Sequence, residues 1–134
     1  MPGDLMDRVR MFPDGFLIAL VGKQIVGYIE SVLWGSHEFA SFEDIKRFPL
    51  FADEKGDELY IIFLATVAKY RKRGIATELL EATKKVARKR RASQVTLVSG
   101  ENLQNFYEKR GFTKIRELPG FLDSIGGMFM ACAV

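Results

Sequence analysis

The stretch from Leu59 to Lys85 constrains the fold of this chain more than any other part of the sequence. An apolar run from Leu59 to Ala65 is followed by a basic turn from Arg71 to Gly74, and then by apolar residues at helical spacing. This order predicts a strand, a glycine-containing turn and the N-terminus of a helix in series. The first turn of a helix has N–H groups without intrahelical acceptors and carries the positive end of the helix dipole. The turn is therefore predicted to bind a phosphate group.

The rest of the chain predicts an α/β fold built around this segment. Its 134 residues, of which 48% are hydrophobic, suit one domain over residues 1–134 with a single core. Strands are expected at Phe16–Val21, Ile25–Trp34, Leu59–Thr66, Gln94–Ser99, Phe112–Leu118 and Gly127–Val134. Helices are expected at Asp4–Met11, Ile75–Ala87 and Asn102–Arg110. The central sheet should be mixed, mostly antiparallel and flanked by these helices.

Composition excludes several classes of protein. The longest apolar stretch, from Leu59 to Ala68, is too short for a transmembrane helix, and Asp4 and Asp7 do not suit a secretory signal peptide. We therefore expect a cytoplasmic protein without a membrane partner. The single cysteine, Cys132, excludes an intramolecular disulfide and a cysteine-rich metal site, and no bound metal is expected.

The excess of basic residues is concentrated near the end of the predicted helix that follows the turn. The formal net charge is +3, and the clustered cations are Lys84, Lys85, Arg88, Lys89, Arg90 and Arg91. We interpret them as a solvated face and a C-terminal turn, where cations complement the helix dipole. No aromatic residues interleave with them as a stacking platform would require, so no nucleic-acid partner is expected.

The spacing within the basic turn resembles a known family signature. No Walker loop and no Gly-x-Gly-x-x-Gly pattern is present, but Arg71-x-x-Gly74-x-Ala76 is similar to the [Arg/Gln]-x-x-Gly-x-[Gly/Ala] motif of the GNAT acetyltransferase superfamily. The lead-in from Leu64 to Tyr70 is similar to that family's Leu-Ala-Val-x-Pro-x-Tyr. Further on, Tyr107-Glu-Lys-x-Gly-Phe matches its second hallmark. Within the superfamily, Ser31-Val-Leu-Trp and Leu103-x-x-Phe-Tyr resemble arylalkylamine N-acetyltransferases.

The resemblance implies that acetyl-CoA is the co-substrate and that its pyrophosphate lies on the turn. It also implies a bulged strand segment that binds the thioester and pantetheine. Coenzyme contacts are therefore expected from Leu64, Ala65, Thr66, Arg71, Lys72, Arg73, Gly74, Ile75, Ala76, Thr77 and Asn102. For Asn102 the favoured alternative is an N-cap of the following helix. The family usually begins with a strand and one or two helices, so the fold should be shortened at its N-terminus, and a homodimer is possible.

Acetyl transfer needs a neutral amine and a proton for the departing thiolate. By resemblance Tyr107 donates that proton. One alternative is that its hydroxyl only hydrogen-bonds to the sulfur while solvent supplies the proton, and another is that Tyr107 is a core aromatic. Strand alternation places Glu58, Tyr60 and Ile62 on one face, where Glu58 is a candidate base acting through water and Tyr60 lines the approach of the amine. An exposed carboxylate is an equal alternative for Glu58, and His37 is the next candidate base.

These expectations define two functions from different classes. The first is an N-acetyltransferase that moves an acetyl group from acetyl-CoA to a primary amine, directly and within a ternary complex. The alternative is a coenzyme A-binding sensor or interaction module that has lost turnover. The two strand histidines of the arylalkylamine N-acetyltransferases correspond to Tyr60 and Ile62 here, which favours the alternative. A basic nucleic-acid-binding protein is a remote third.

Overall fold

A computed structural model describes residues 12–34, 56–119 and 126–134, together with residues 6, 9 and 10. The strands are β1 (Phe16–Val21), β2 (Gln24–Trp34), β3 (Glu58–Thr66), β4 (Gln94–Ser99), β5 (Thr113–Leu118) and β6 (Gly127–Ala133). The α-helices are α1 (Ile75–Lys89) and α2 (Gln104–Glu108). Short 3-10 helices lie at Pro13–Gly15, Ala68–Tyr70 and Glu101–Leu103. All the described strands belong to one sheet, which agrees with a single domain. The extent of that domain, residues 1–134, stays a prediction.

The sheet has the order β1-β2-β3-β4-β6-β5. Neighbouring strands are antiparallel except for β3 and β4, which are parallel. A parallel pair needs a crossover connection, and α1 lies in the chain between these two strands. The prediction of a mixed, mostly antiparallel sheet is confirmed. The last strand, β6, lies between β4 and β5 rather than at the edge.

One face of α1 packs on the sheet and forms the core. Leu79, Leu80 and Ala87 are buried on this helix, together with Ile29 of β2 and Ile61 of β3. The start of α1 can approach the sheet closely because β2 has a glycine there. A Cβ at Gly27 would lie 3.2 Å from Ile75 Cγ2 and 3.0 Å from the Ala65 carbonyl oxygen. The N-terminus of α1 is thereby held against the C-terminal part of β3.

Two predicted elements differ from the structure or lie outside it. The expected helix Asn102–Arg110 is a 3-10 turn followed by a short α2, which ends before Gly111 adopts φ +95. Most of the expected helix Asp4–Met11 lies outside the described residues, although residues 6, 9 and 10 are helical. Residues 35–55, which include His37, also lie outside them. None of the helices within the described ranges has both the length and the apolar character needed to cross a membrane.

Candidate active site

The sheet opens between β3 and β4. The two strands pair only from Glu58 to Tyr60 and from Gln94 to Thr96, although both continue beyond these residues. Beyond these pairs, the side of β3 that faces β4 has no partner strand in the described part of the chain, so an extended ligand can lie beside it. The gap lies at the carboxyl ends of two parallel strands, where ligands commonly bind in α/β sheets.

A bulge in β3 contributes to this separation. Ile61 lies opposite Ser31 and Phe63 lies opposite Glu30, so Ile62 has no partner on β2. An extra residue of this kind bends a strand and increases its twist. The bulge expected at Leu64–Thr66 is wrong in position, because those residues pair regularly with β2. The sequence gives no sign of the shift, since Ile62 continues an unbroken apolar run. Coenzyme contacts by residues 64–66 stay a prediction.

The predicted phosphate turn has the backbone geometry of an anion site. Gly74 is the N-cap of α1, with φ +82 and ψ 4, and Lys72 also has a positive φ of 64. Left-handed residues between right-handed ones produce a concave set of N–H groups. The first helical hydrogen bond runs from the Glu78 N–H to the Gly74 carbonyl oxygen at 2.9 Å. The N–H groups of residues 75–77 have no acceptor in the part of the chain that the structure describes.

The same turn carries positive charge at the surface. The side chains of Arg71, Lys72 and Arg73 are exposed. Tyr70 holds two cations beside the turn, since its ring centroid is 5.1 Å from the Arg73 guanidinium carbon and 5.4 Å from Lys69 Nζ. These contacts are typical cation–π distances. The turn therefore combines free N–H donors, the helix dipole and exposed cations, which together suit a pyrophosphate.

Tyr107 combines a packed ring with an available hydroxyl. It is buried on α2, where its ring meets Phe106 edge-on at 5.2 Å and Phe112 at 5.7 Å between centroids. Burial raises the pKa of Tyr107 to about 12, so the phenol stays protonated at neutral pH. Among the described residues its hydroxyl has no hydrogen-bond partner. The ring therefore has a core role, while the O–H can still donate to a ligand.

Glu58 is buried at the paired end of β3 and β4. It is 4% exposed, so the alternative of an exposed carboxylate is wrong. Its Oε2 accepts hydrogen bonds from Trp34 Nε1 and Thr96 Oγ1, both at 2.8 Å, and its Oε1 accepts one from Gln94 Nε2 at 3.3 Å. The sheet register explains this set, because Glu58 lies opposite Trp34 on β2 and opposite Gln94 on β4.

Tyr60 shares the environment of Glu58, as strand alternation predicted. Its ring stacks on Trp34, with 4.3 Å between the centroids, and it is 1% exposed. Burial, and secondarily the Glu58 carboxylate, raise the pKa of Tyr60 far above its usual value. Both side chains therefore meet Trp34 on the same face of the sheet. Ile62 does not continue this alternation, because the bulge falls at that residue.

The sequence reasoning missed several residues that hold these groups. Trp34, Gln94 and Thr96 bind Glu58, and a correct strand register is needed to find them. Arg110 donates a hydrogen bond to the first turn of α1, although the Tyr-Glu-Lys-x-Gly-Phe motif leaves its position unspecified. The favoured cap role of Asn102 is wrong, because neither the 3-10 turn nor α2 has a side-chain cap. Asn102 is exposed, and its coenzyme contact stays a prediction.

This geometry defines a cleft for an extended, phosphate-bearing ligand between two splayed parallel strands. Residues 3–112 match the acetyltransferase (GNAT) family, and the chain belongs to that family. It is 31% identical over 121 residues to an N-alpha-acetyltransferase of Saccharolobus solfataricus, a match that covers 87% of this chain. The chain spans 66% of the length of that relative.

Solved structures share the fold. Ard1 from Thermoplasma volcanium has a TM-score of 0.73 at 22% identity, covering 97% of this chain and 77% of that one. Arabidopsis thaliana Naa50, in complex with the bisubstrate analogue CoA-Ac-MVNAL, has a TM-score of 0.67 at 18% identity, covering 90% and 74%. The expected GNAT family and GNAT-like fold are confirmed. Membership of this family supports the expected acyltransferase class and the acetyl-CoA co-substrate. The alternative of a non-catalytic binding module is not favoured.

Proposed function

We propose that this chain transfers an acetyl group from acetyl-CoA to the α-amine at the N-terminus of a peptide or protein. One observation carries the choice of acceptor: the 31% identity, over 87% of the chain, to a relative named N-alpha-acetyltransferase. The geometry of the cleft supports the coenzyme part of the proposal, because the turn offers N–H donors and cations to a pyrophosphate.

The coenzyme binds along the open edge of β3, with its phosphates on the turn before α1. Residues expected to contact it are Leu64, Ala65, Thr66, Arg71, Lys72, Arg73, Gly74, Ile75, Ala76, Thr77 and Asn102. A backbone N–H of β3 polarises the thioester carbonyl, and this preorganised donor needs no particular side chain. The exposed position of Arg71, Lys72 and Arg73 lets their side chains close over the phosphates.

The amine attacks the thioester carbon directly, and no covalent acetyl-enzyme forms. The new bond joins the amine nitrogen to the acetyl carbon, while the bond from that carbon to sulfur breaks. The Tyr107 hydroxyl donates a hydrogen bond to the leaving sulfur, and solvent supplies the proton that the thiolate takes up. The amine's proton passes through water to Glu58. Tyr60 orders the water between the amine and that carboxylate.

The hydrogen bonds of Glu58 suit an α-amine better than a lysine side chain. Its carboxylate accepts from Trp34, Thr96 and Gln94, so about one of its roughly four acceptor positions is left for a water molecule. At pH 7 roughly one α-amine in six is neutral, against roughly one lysine ε-amine in 2,500. An acceptor that arrives partly deprotonated depends less on a base that is reached only through water.

A thiol-release assay with acetyl-CoA and a matched peptide panel tests the acceptor. Each peptide is supplied with a free N-terminus and, as the control, with a blocked N-terminus and an internal lysine. We expect acetylation of the free N-termini only, located by mass spectrometry. Acetylation of the internal lysine alone, or of an arylalkylamine such as tryptamine alone, would overturn the choice of acceptor. Coenzyme binding without turnover on any amine would favour the sensor or interaction module.

The compartment and assembly state belong to the same proposal. A cytoplasmic location agrees with the single buried thiol, Cys132, which forms no disulfide. A homodimer stays a prediction, and light scattering of the purified chain at several concentrations tests it.

A further inference from the structure

Arg110 connects the two helices that border the cleft. Its Nε donates a hydrogen bond to Thr77 Oγ1 at 2.8 Å, in the first turn of α1. Its Nη1 donates to the Phe106 carbonyl oxygen on α2, also at 2.8 Å, and its guanidinium lies 3.7 Å from the centroid of the Phe106 ring. The side chain is thus fixed at three points, which restricts the planar guanidinium to one orientation.

The backbone of Arg110 is fixed as well. Its carbonyl oxygen accepts a hydrogen bond of 2.6 Å from Nζ of Lys84, a lysine of α1 that is 7% exposed. Its N–H donates to the Tyr107 carbonyl oxygen at 2.9 Å. Two points on α1, Thr77 and Lys84, therefore hold the segment that carries Tyr107.

The bond to Arg110 also sets the polarity of the Thr77 hydroxyl. A hydroxyl that accepts from a guanidinium turns its own proton away from that donor. Within the described part of the chain, Thr77 O–H has no acceptor, and neither has the Thr77 N–H. Both donors of Thr77 thus remain available beside the left-handed turn at Gly74.

We propose that Arg110 is a positioning residue that couples coenzyme binding at the first turn of α1 to the placement of Tyr107 on α2. This inference rests on the proposed function for its catalytic consequence. Arg110 orients Thr77 as a phosphate donor and holds α2 at a fixed distance from the phosphate turn. Contacts that the phosphates make at the first turn of α1 are therefore passed through Arg110 to the helix of Tyr107.

The first test is a double-mutant cycle on coenzyme affinity, measured by calorimetry with coenzyme A. Thr77→Val removes the hydroxyl at nearly constant shape, and Arg110→Met keeps much of the side-chain length without its donors. Each change should weaken binding about tenfold, as expected for loss of one charge-assisted hydrogen bond. The double variant should also lose about tenfold rather than about a hundredfold, because both changes remove the same interaction.

The matched control is Lys109→Met, which removes a neighbouring exposed cation. Lys109 has the same charge and lies next to Arg110, but its side chain makes no described contact with α1. If the loss of one positive charge were enough to weaken coenzyme binding, Arg110→Met and Lys109→Met would weaken it equally. We expect Lys109→Met to bind coenzyme A like the unmodified chain.

The second test observes Tyr107 directly by NMR. This readout does not depend on turnover, and kcat is measured beside it. With tyrosine labelled at the ring carbon that bears the hydroxyl, Tyr107→Phe assigns one of the chain's four tyrosine signals. Saturating coenzyme A should shift the Tyr107 signal in the unmodified chain. In Arg110→Met the shift should be absent or much smaller at saturation. The kcat of this variant should also fall by at least about tenfold, in addition to any change in KM.

The outcomes separate the two proposals. Additive losses in the cycle, or an unchanged Tyr107 shift in Arg110→Met, would overturn the coupling, whichever acceptor is correct. Coupled losses without acetylation of any peptide would leave the coupling standing and overturn the acceptor. If Arg110→Met does not fold, Thr77→Val perturbs the same bond from the other side. A normal Tyr107 shift in that variant would then overturn the coupling.

Discussion

Replacing Gly74 with valine separates the role of the phosphate turn from its contribution to stability. Gly74 has φ +82, and a Cβ built there meets no atom within 4 Å. The chain supplies a matched control in Gly22, which joins β1 to β2 with φ +60 and equally open space around its Cβ. Both substitutions place a β-branched residue in a left-handed conformation, but only one lies at the phosphate turn.

The expected magnitudes follow from these geometries. A left-handed conformation costs a residue with a side chain roughly 1–2 kcal/mol, and neither site adds a steric clash. In a chain of this size that corresponds to a fall in Tm of roughly 3–10 °C for either variant. Acetyl-CoA at a hundredfold excess over its Kd stabilises a protein that binds it only when folded by about 2.7 kcal/mol. The unmodified chain should therefore gain roughly 8–13 °C.

Scanning calorimetry with and without acetyl-CoA measures both effects on the same samples. The Gly22→Val variant should start from a lower Tm and still gain the full shift. The Gly74→Val variant should start from a similar Tm and gain almost none, because the new side chain distorts the turn and occupies the space of the phosphate. A normal coenzyme shift in folded Gly74→Val would show that the turn is not the binding site. Loss of the shift in Gly22→Val as well would show that strain alone explains the result.

Three further predictions concern the catalytic residues. Tyr107→Phe should lower kcat strongly while the Kd for coenzyme A, measured by calorimetry, stays nearly unchanged, because only the hydroxyl acts on the leaving sulfur. The stabilisation from neutral Tyr107 is complete below its unfolded pKa near 10 and is lost as the pH rises through its folded pKa of about 12. Urea denaturation at pH 9 and pH 11.5 should thus show a smaller loss of stability in Tyr107→Phe than in the unmodified chain. Glu58→Gln should lower the rate at acidic pH by at least about tenfold, and Tyr60→Phe should lower it less. An acceptor of lower amine pKa should restore the rate of Glu58→Gln.

Each of these results has a contradicting outcome. Unchanged turnover in Tyr107→Phe would leave Tyr107 as a core aromatic. Equal losses of stability at high pH in Tyr107→Phe and the unmodified chain would mean that other groups dominate the pH dependence. Glutamine can keep an oxygen where Trp34 and Thr96 donate, and Gln94 can turn its amide so that its oxygen accepts from the new N–H. Glu58→Gln should therefore fold normally and report on the charge. A loss well below tenfold would make Glu58 structural, and a large loss without rescue would direct attention to His37.

Much of the fold could be predicted because it depends on local patterns. The apolar run of β3, the left-handed Gly74 and the amphipathic α1 follow from periodicity and from the conformational freedom of glycine. The strand bounds were close for the same reason. The order of β6 and β5 was not predictable in this way, since it depends on which strand pairs with β4.

The site was less predictable because its contacts join distant parts of the chain. Glu58 meets Thr96 through strand pairing, and Arg110 meets Thr77 through helix packing, over 38 and 33 residues of sequence. The position of the bulge depends on how β3 meets β2, which a uniform run of apolar residues does not reveal. Local chemistry identified the groups that can act, but only the register shows how each is held.

The short pairing of β3 with β4 divides the sheet into two three-stranded parts. One contains β1, β2 and β3, and the other contains β4, β6 and β5. Three residue pairs, from Glu58–Gln94 to Tyr60–Thr96, join them within the sheet. We therefore expect amide hydrogens of β4, β5 and β6 to exchange through openings that leave β1 and β2 closed. A ligand that spans the gap would connect the two parts of the sheet. Its binding should therefore slow amide hydrogen exchange at residues that it does not contact.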